Sequence, residues 1–325
     1  RLFAADAEAR GQAFDLASGR RLWRRDFEIA SDRELGAGLA ASGGGVFVAT
    51  ARGEVAALEA DSGEPVWSTE LRTPVRAAPT LAGRYVIVLS ADNQSFGLDA
   101  VSGAVVWNHQ GFAEQTALLG GPSPAATGGL VVVPYSSGEV YGLTLDGGAP
   151  VWIDSVQRPR RTAAMGNIAD IQGSPVIDDQ GRVFVAGHGG EIAALDAATG
   201  RRGWDQRVAA SEMPWVAGGS VFLVTTQAEV VALEAQTGRI RWAAQLPRFR
   251  VPDDPETERI HYAGPVLAGG RLLIAGSLGT LHVLDPATGE TAAGFDIPRG
   301  VTLPPVVAAG HLVLVDDGGV VHVYN

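Results

Sequence analysis

An eleven-residue pattern recurs along the chain and constrains its fold more than any other feature. One copy reads ALDAATGRRGW from Ala194, and others read ALEADSGEPVW from Ala57 and GLDAVSGAVVW from Gly97. Repeats of about 40 to 45 residues are typical of β-propellers, in which each repeat forms one four-stranded blade. The glycine of the pattern recurs every 38 to 52 residues, at positions 19, 63, 103, 148, 200, 238 and 289.

Short β-branched runs lie between the copies. GVFVAT, RVFVAG and SVFLVTT are bounded by Gly, Asp or Ser, which indicates strands joined by tight turns. Amphipathic 3.6-residue periodicity, which a helical repeat would need, is absent from the sequence. Because proline cannot donate to a ladder, a proline near the first strand of a unit favours an edge strand. Six units have such a proline, at positions 79, 124, 175, 214, 265 and 305.

The motif itself predicts a tight turn between the third and fourth strands of each blade. Its Asp or Glu ends the third strand, its Ser or Thr can hydrogen-bond back to that acid, and its Gly can adopt a positive φ. The tryptophan four residues later falls at an equivalent point of each fourth strand, and we predict that it packs between neighbouring blades. An aromatic box for a ligand is the alternative, but equivalent outer-strand positions would be spread around a ring. The tryptophans are Trp23, Trp67, Trp107, Trp152, Trp204 and Trp242.

The order of the predicted strands gives the blade count. The chain opens with a second strand, continues through six complete units and closes with a third strand. We therefore predict an all-β, eight-bladed β-propeller of four-stranded antiparallel blades, formed by residues 1–325 as a single domain. The seam strands are missing at the N-terminus, and we expect a segment upstream of Arg1 to supply them.

Composition excludes several classes of function. The net charge is −11 and every basic residue is Arg, so an acidic surface makes nucleic acid an unsuitable partner. The absence of Cys excludes disulfides, thiolate metal sites and a cysteine nucleophile. The six His lack metal-ligand spacing, and no nucleotide or hydrolase motif is present. We therefore predict no catalytic residue and no metal site.

The connections between blades vary in length on one face only. Residues 154–172 and 246–262 form long connections and 109–120 a moderate one, whereas the repeat turns on the opposite face are uniform. Variable loops on a uniform scaffold commonly bind partners, so we expect function on this face. A simple solvated loop is the alternative for the first connection. A cation site is the alternative for the acidic second one, although it lacks the ligand spacing of a calcium loop.

The pattern [AG]L[DE]xx[ST]GxxxW resembles the repeat of the pyrroloquinoline-quinone-like propellers, which include quinoprotein dehydrogenases and the BamB family of outer-membrane assembly factors. GPSPAATGGLVVVPYSSGEV, IADIQGSPVID and PWVAGGSVFLVT are similar to the alphaproteobacterial form of BamB, and the resemblance covers essentially the whole chain. It implies a non-enzymatic scaffold without a cofactor, on the periplasmic face of the outer membrane. The lipid anchor of such a protein would lie upstream of this sequence.

The same resemblance implies contact with the POTRA repeats of BamA. Nascent outer-membrane proteins are a further expected partner, because bare strand edges or the channel could hold their strands by β-augmentation. Leu118 and Asp170 match the family's contact pattern. Leu119 replaces an Arg of that pattern and Gln172 replaces an acid, which weakens the charged part of the contact. The compensating charge is expected from Arg158, Arg160 or Arg161 nearby.

Two other functions stay open at this point. A quinoprotein dehydrogenase-like propeller is disfavoured because many such enzymes carry an adjacent-cysteine disulfide, and this chain has no Cys. A periplasmic ligand-sensing propeller is the second, and composition does not exclude it.

Overall fold

Strands are the regular elements of this protein, and they form eight antiparallel sheets in the part of the chain that is described. Six of these sheets have four strands, whereas the first and the last have three. The prediction of an all-β, eight-bladed β-propeller with incomplete terminal blades is confirmed. No helix in the described residues is long and apolar enough to cross a membrane. The structure, a computed structural model, describes residues 1–6, 8–27, 36–75, 77–112, 121–156, 171, 173–187, 190–210, 212–252 and 254–324.

The strands of each blade follow one another in sequence and pair in that order. Blades one to four consist of β1 (Leu2–Ala5), β2 (Arg10–Phe14) and β3 (Arg21–Asp26); β4 (Ala37–Ser42), β5 (Gly45–Thr50), β6 (Glu54–Glu59) and β7 (Pro65–Glu70); β8 (Thr80–Ala82), β9 (Tyr85–Leu89), β10 (Gln94–Asp99) and β11 (Val105–Gln110); β12 (Ala125–Thr127), β13 (Leu130–Pro134), β14 (Glu139–Thr144) and β15 (Pro150–Ser155).

The remaining blades continue the same order. They consist of β16 (Val176–Ile177), β17 (Arg182–Gly187), β18 (Glu191–Asp196) and β19 (Arg202–Gln206); β20 (Trp215–Ala217), β21 (Ser220–Val224), β22 (Glu229–Glu234) and β23 (Ile240–Gln245); β24 (Tyr262–Ala268), β25 (Arg271–Gly276), β26 (Thr280–Leu284) and β27 (Thr291–Asp296); β28 (Val306–Ala308), β29 (His311–Val315) and β30 (Val321–Tyr324).

The chain divides into two compact units. The first comprises residues 1–181 with 197–200, and the second comprises residues 182–196 with 201–325. Whether the whole chain acts as one domain stays a prediction.

The apolar cores lie between successive blades of each unit. Successive residues of a strand point to opposite faces, so a strand covered on both faces reads as a continuous apolar run. Val46 and Val48 of β5 pack toward the first blade. Phe47 and Ala49 of the same strand pack toward the third blade. In the second unit, the sixth blade is divided in the same way between Val221 with Leu223 and Phe222 with Val224.

Each motif tryptophan packs into the turn of the following blade. The indole N–H of Trp23 donates to the carbonyl of Ala60 at 3.0 Å. Its ring lies against Gly63, where an added Cβ would come within 2.6 Å of the indole. The same pair of contacts joins Trp67 to Ala100 and Gly103, Trp107 to Leu145 and Gly148, Trp152 to Ala197 and Gly200, Trp204 to Ala235 and Gly238, and Trp242 to Pro286 and Gly289.

The motif acid closes the turn that receives the indole. In the third blade, the Asp99 carboxylate accepts hydrogen bonds from Arg84, from the amide of Ser102 at 3.0 Å and from its hydroxyl at 3.0 Å. Arg84 and Ser102 together lower the pKa of Asp99 to about 2. The glycine of this turn, Gly103, has a φ of +72°. These bonds confirm the predicted turn chemistry. They also occupy the carboxylate of Asp99, which therefore has a structural role in the turn.

The close approach of tryptophan to glycine predicts the effect of a single methyl group. Gly63→Ala places a Cβ in the indole of Trp23 and also forces alanine to adopt a φ of +73°. We expect a loss of about 2–4 kcal/mol in the free energy of unfolding, measured by urea denaturation. Gly19→Ala is the matched control, because Gly19 holds the same motif position at φ +68° with nothing within 4 Å of its Cβ. It should lose only about 1 kcal/mol, and equal losses in the two variants would contradict the packing explanation.

Candidate partner-binding face

The six predicted contact residues lie outside the described part of the chain. Some residues at the roots of their connections, that is, at the ends where each connection joins a blade, are described. The connection after the third blade starts at Gly111, and Ile171 marks the later part of the connection after the fourth blade. Ile171 is fully buried. It lies between two of the predicted contacts in sequence. The residues outside the description are Leu118, Leu119, Arg160, Arg161, Asp170 and Gln172.

The root of the connection after the third blade is held by two neighbouring blades. The amide of Gly111 donates to the carbonyl of Asn93 at 2.8 Å. The side-chain amide of Asn93 donates to the carbonyl of Phe112 at 2.8 Å. From the fourth blade, a carboxylate oxygen of Glu139 accepts the amide of Phe112 at 3.4 Å. The Phe112 side chain is 63% exposed, so a fixed backbone presents an aromatic ring to solvent.

An aromatic cluster of Tyr135 and His109 packs against this root. The hydroxyl of Tyr135, which is fully buried, lies 2.9 Å from Ser95 Oγ and 2.8 Å from His109 Nδ1. Burial raises the pKa of Tyr135 and lowers the pKa of His109, so both groups are neutral near pH 7. An added Cβ at Gly111 would lie 2.8 Å from the Tyr135 ring. The backbone of the root therefore packs directly on an uncharged aromatic cluster.

The long connection after the sixth blade forms an ordered hairpin in the second unit. The amide of Arg250 donates to the carbonyl of Glu258 at 2.8 Å, and their side chains form an ion pair at 2.5 Å. The guanidinium groups of Arg248 and Arg259 contact the turn at Gln227 and Thr226. Arg248, Arg250, Glu258 and Arg259 are thus bonded within the fold. The described residues contain no group of three side chains able to hold a metal ion.

A cavity of about 380 Å³ lies beside this hairpin, within the second unit. Its lining includes Glu212, Gln227, His261 and Thr302. Burial raises the pKa of the Glu212 carboxyl to about 7. The cavity wall therefore carries an acid that changes charge near neutral pH.

A sequence profile described as "Outer membrane protein assembly factor BamB" matches residues 7–244, which is well over half of the chain. The chain belongs to the BamB family. Membership places it among outer membrane protein assembly factors, which are described by an assembly role and not by a reaction.

BamB proteins from three bacteria illustrate the relationship. The proteins of Moranella endobia and Yersinia pestis are each 24% identical to this chain, over 99% and 100% of it and 82% of their own lengths. The protein of Nitrosomonas eutropha is 26% identical over 66% of this chain. That match spans about half of the relative, or 51% of its length.

Solved structures support the fold of this BamB-family chain. The crystal structure of BamB from Moraxella catarrhalis has a TM-score of 0.83 at 24% identity, covering 99% of this chain and 92% of that one. A europium-containing methanol dehydrogenase has a TM-score of 0.74 at 12% identity, covering 99% and 80%. At these identities the likeness concerns the propeller fold alone, so the dehydrogenase does not carry its chemistry over to this family member.

Sequence reasoning missed the residues that hold the roots. Asn93 occupies a turn position at which the second and fourth blades have Gly53 and Gly138. Aligning the repeats on this turn, in addition to the tryptophan motif, marks Asn93 as a departure from the internal pattern. Tyr135 and His109 carry no local signal, because their contact depends on the packing of two blades.

The raised pKa of Glu212 predicts a pH-dependent stability. The folded-state pKa of about 7 lies above the usual value of 4.5, so the folded protein keeps this proton longer than the unfolded chain. Stability from this group therefore falls as pH rises from about 4.5 to about 7, by about 3 kcal/mol. Glu212→Gln should be more resistant to urea than the wild type at pH 8, with a smaller difference at pH 5. Exposed Glu290→Gln serves as the control, and a constant difference at both pH values for Glu212→Gln would contradict the assignment.

Proposed function

We propose that this chain is a scaffold subunit of the machinery that assembles β-barrel proteins in the outer membrane, and that it binds the POTRA repeats of BamA. The match to the BamB family over residues 7–244 carries this proposal. A propeller suits the role because its blades form a stiff frame, while the connections on one face differ in length and sequence.

The proposed interface consists of the connections that leave the third and fourth blades. Their described roots support this choice, since Phe112 is bonded through both backbone polar atoms and Ile171 is fully buried. A connection fixed at its root loses less conformational entropy on binding than a free one. The contact residues that we assign are Leu118, Leu119, Arg160, Arg161, Asp170 and Gln172.

These residues combine two kinds of contact. Leu118 and Leu119 supply apolar surface for the centre of the interface, where most binding energy is usually concentrated. Asp170 accepts a basic group of the partner, and Arg160 with Arg161 provides positive charge on a chain of net charge −11. Charge pairs at the rim set orientation and association rate more than affinity.

We further place the protein on the periplasmic side of the outer membrane. A lipid anchor upstream of Arg1 attaches it there, and nascent outer-membrane proteins are its second class of partner. The net charge of −11 makes nucleic acid an unsuitable partner.

Binding to isolated POTRA repeats of BamA tests the interface. The double variant Leu118→Asp, Asp170→Arg removes an apolar anchor and reverses a contact charge. We expect its affinity, measured by isothermal titration calorimetry, to fall at least about 100-fold, because loss of an interface anchor typically costs 2 kcal/mol or more (about 30-fold) and the reversed charge adds repulsion.

Val101→Asp is the matched control for this experiment. Val101 is 81% exposed and belongs to the repeat turn of the third blade, at the opposite end of β11 from the proposed interface. It introduces the same apolar-to-acid change and should leave the affinity unchanged. Wild-type affinity in the double variant would overturn the assigned interface.

The quinoprotein alternative has its own test. Pyrroloquinoline quinone with calcium, added to the purified chain, should leave the absorbance of the quinone and the melting temperature unchanged. A ligand that binds the folded state with a Kd far below its concentration would raise the melting temperature by several degrees. Such a rise would favour the alternative over the scaffold.

A further inference from the structure

We infer that Asn93 is a positioning residue for the connection that leaves the third blade. Its buried side chain sets the direction in which the backbone leaves the blade at Phe112, and this direction is required for partner binding. The inference rests on the proposed function, because it concerns the connection that carries Leu118 and Leu119.

The argument starts from a backbone position that recurs in every blade. The residue before the third strand, or the one before that in the eighth blade, has a positive φ, between 50° and 110°. This conformation favours glycine and then asparagine. Among the described residues at this position, Asn93 is the one with a polar side chain. The set is Ala9, Gly53, Asn93, Gly138, Gly190, Ala228, Gly279 and Gly319.

The backbone of this position already contacts the following connection in several blades. The carbonyl of Gly53 accepts the amide of Leu71 at 2.9 Å, and the carbonyl of Ala228 accepts the amide of Leu246 at 2.9 Å. The corresponding bond in the third blade, from Gly111 to Asn93, measures 2.8 Å. The turn therefore holds the first residue of the connection through its backbone, and only a polar side chain can hold the next residue.

Asn93 supplies that side chain, which is 1% exposed. Its amide N–H group donates to the carbonyl of Phe112 at 2.8 Å. Its amide oxygen accepts the amide of Ser136 at 3.2 Å and the hydroxyl of Ser136 at 2.9 Å. One buried amide thus ties the turn of the third blade to the turn of the fourth blade and to the root of the connection.

Phe112 is held at a second backbone atom, its amide nitrogen, in addition to the carbonyl that Asn93 binds. Its amide points to a carboxylate oxygen of Glu139 in the fourth blade, while its carbonyl points back to Asn93 in the third. A residue held at both polar atoms has its φ and ψ restricted, which sets the direction of the backbone at Phe112 itself. Leu118 follows only six residues later.

Two substitutions separate the bonds that Asn93 makes. Asn93→Asp keeps the acceptor for Ser136 but cannot donate to Phe112, whereas Asn93→Gly removes all side-chain bonds and suits the positive φ. In both variants we expect hydrogen exchange at the amides of Gly111 and Phe112 to be about tenfold faster. We also expect about tenfold weaker binding to the POTRA repeats of BamA in calorimetry.

Two controls distinguish positioning from a general loss of stability. Ser136→Ala removes the hydroxyl bond on the other side of Asn93 and should lower the urea midpoint without changing affinity. Ala228→Gly alters the equivalent turn in the second unit and should leave both the exchange at Phe112 and the affinity unchanged.

The outcomes separate this inference from the proposed function. Wild-type exchange at Phe112 in both Asn93 variants overturns the positioning role. Faster exchange with wild-type affinity, or an equal loss of affinity in Ser136→Ala, overturns the link to binding. If the wild-type chain itself does not bind the POTRA repeats, the proposed function fails, and with it the role in binding, while the exchange data still decide whether Asn93 fixes the root.

Discussion

The contact between a tryptophan and the glycine of the next blade is the interaction on which the rest of the structure depends. A single four-stranded sheet with apolar residues on both faces cannot bury them alone. The indole fills the space between two such sheets, and its N–H satisfies a carbonyl in the receiving turn, as Trp23 does at Ala60. Apolar burial and a directional hydrogen bond therefore fix the position of each blade on its neighbour.

Much of the fold is predictable because the turn chemistry is repeated. The positive φ of Gly63 and Gly103 and the tie from Asp99 to Ser102 follow from residue types at fixed spacing. The register shift between Gly97 and Leu98 does not follow from the residue types, because the extra residue lies in β11 and leaves the apolar run of β10 intact. The length of the first strand is also not predictable from the sequence. β16 has two residues and follows Pro175, whereas β24 has seven residues and contains Pro265.

The candidate site is less accessible to sequence reasoning than the fold. The choice of Leu118 and Asp170 comes from a resemblance, since a residue that contacts a partner has no partner within its own sequence. The residues that support the site differ from one another in how far the sequence predicts them. Asn93 is a polar residue at a repeated position where the other described residues are Gly or Ala, so the internal repeats carry its signal. The contact of Tyr135 with His109 depends instead on how two blades pack. Repetition defines the frame, and departures from it indicate where the frame serves a partner.

The tryptophan–glycine contact also has a direction along the chain. Each central repeat contributes a tryptophan to the blade after it and a receiving glycine to the blade before it, as the third blade does with Trp107 and Gly103. A copied repeat would therefore arrive with both halves of its interface already compatible with its neighbours. Gene duplication can lengthen such an array without any compensating substitution at the new boundary. Within this chain the connections differ in length and sequence from repeat to repeat, while the contact that joins the blades recurs.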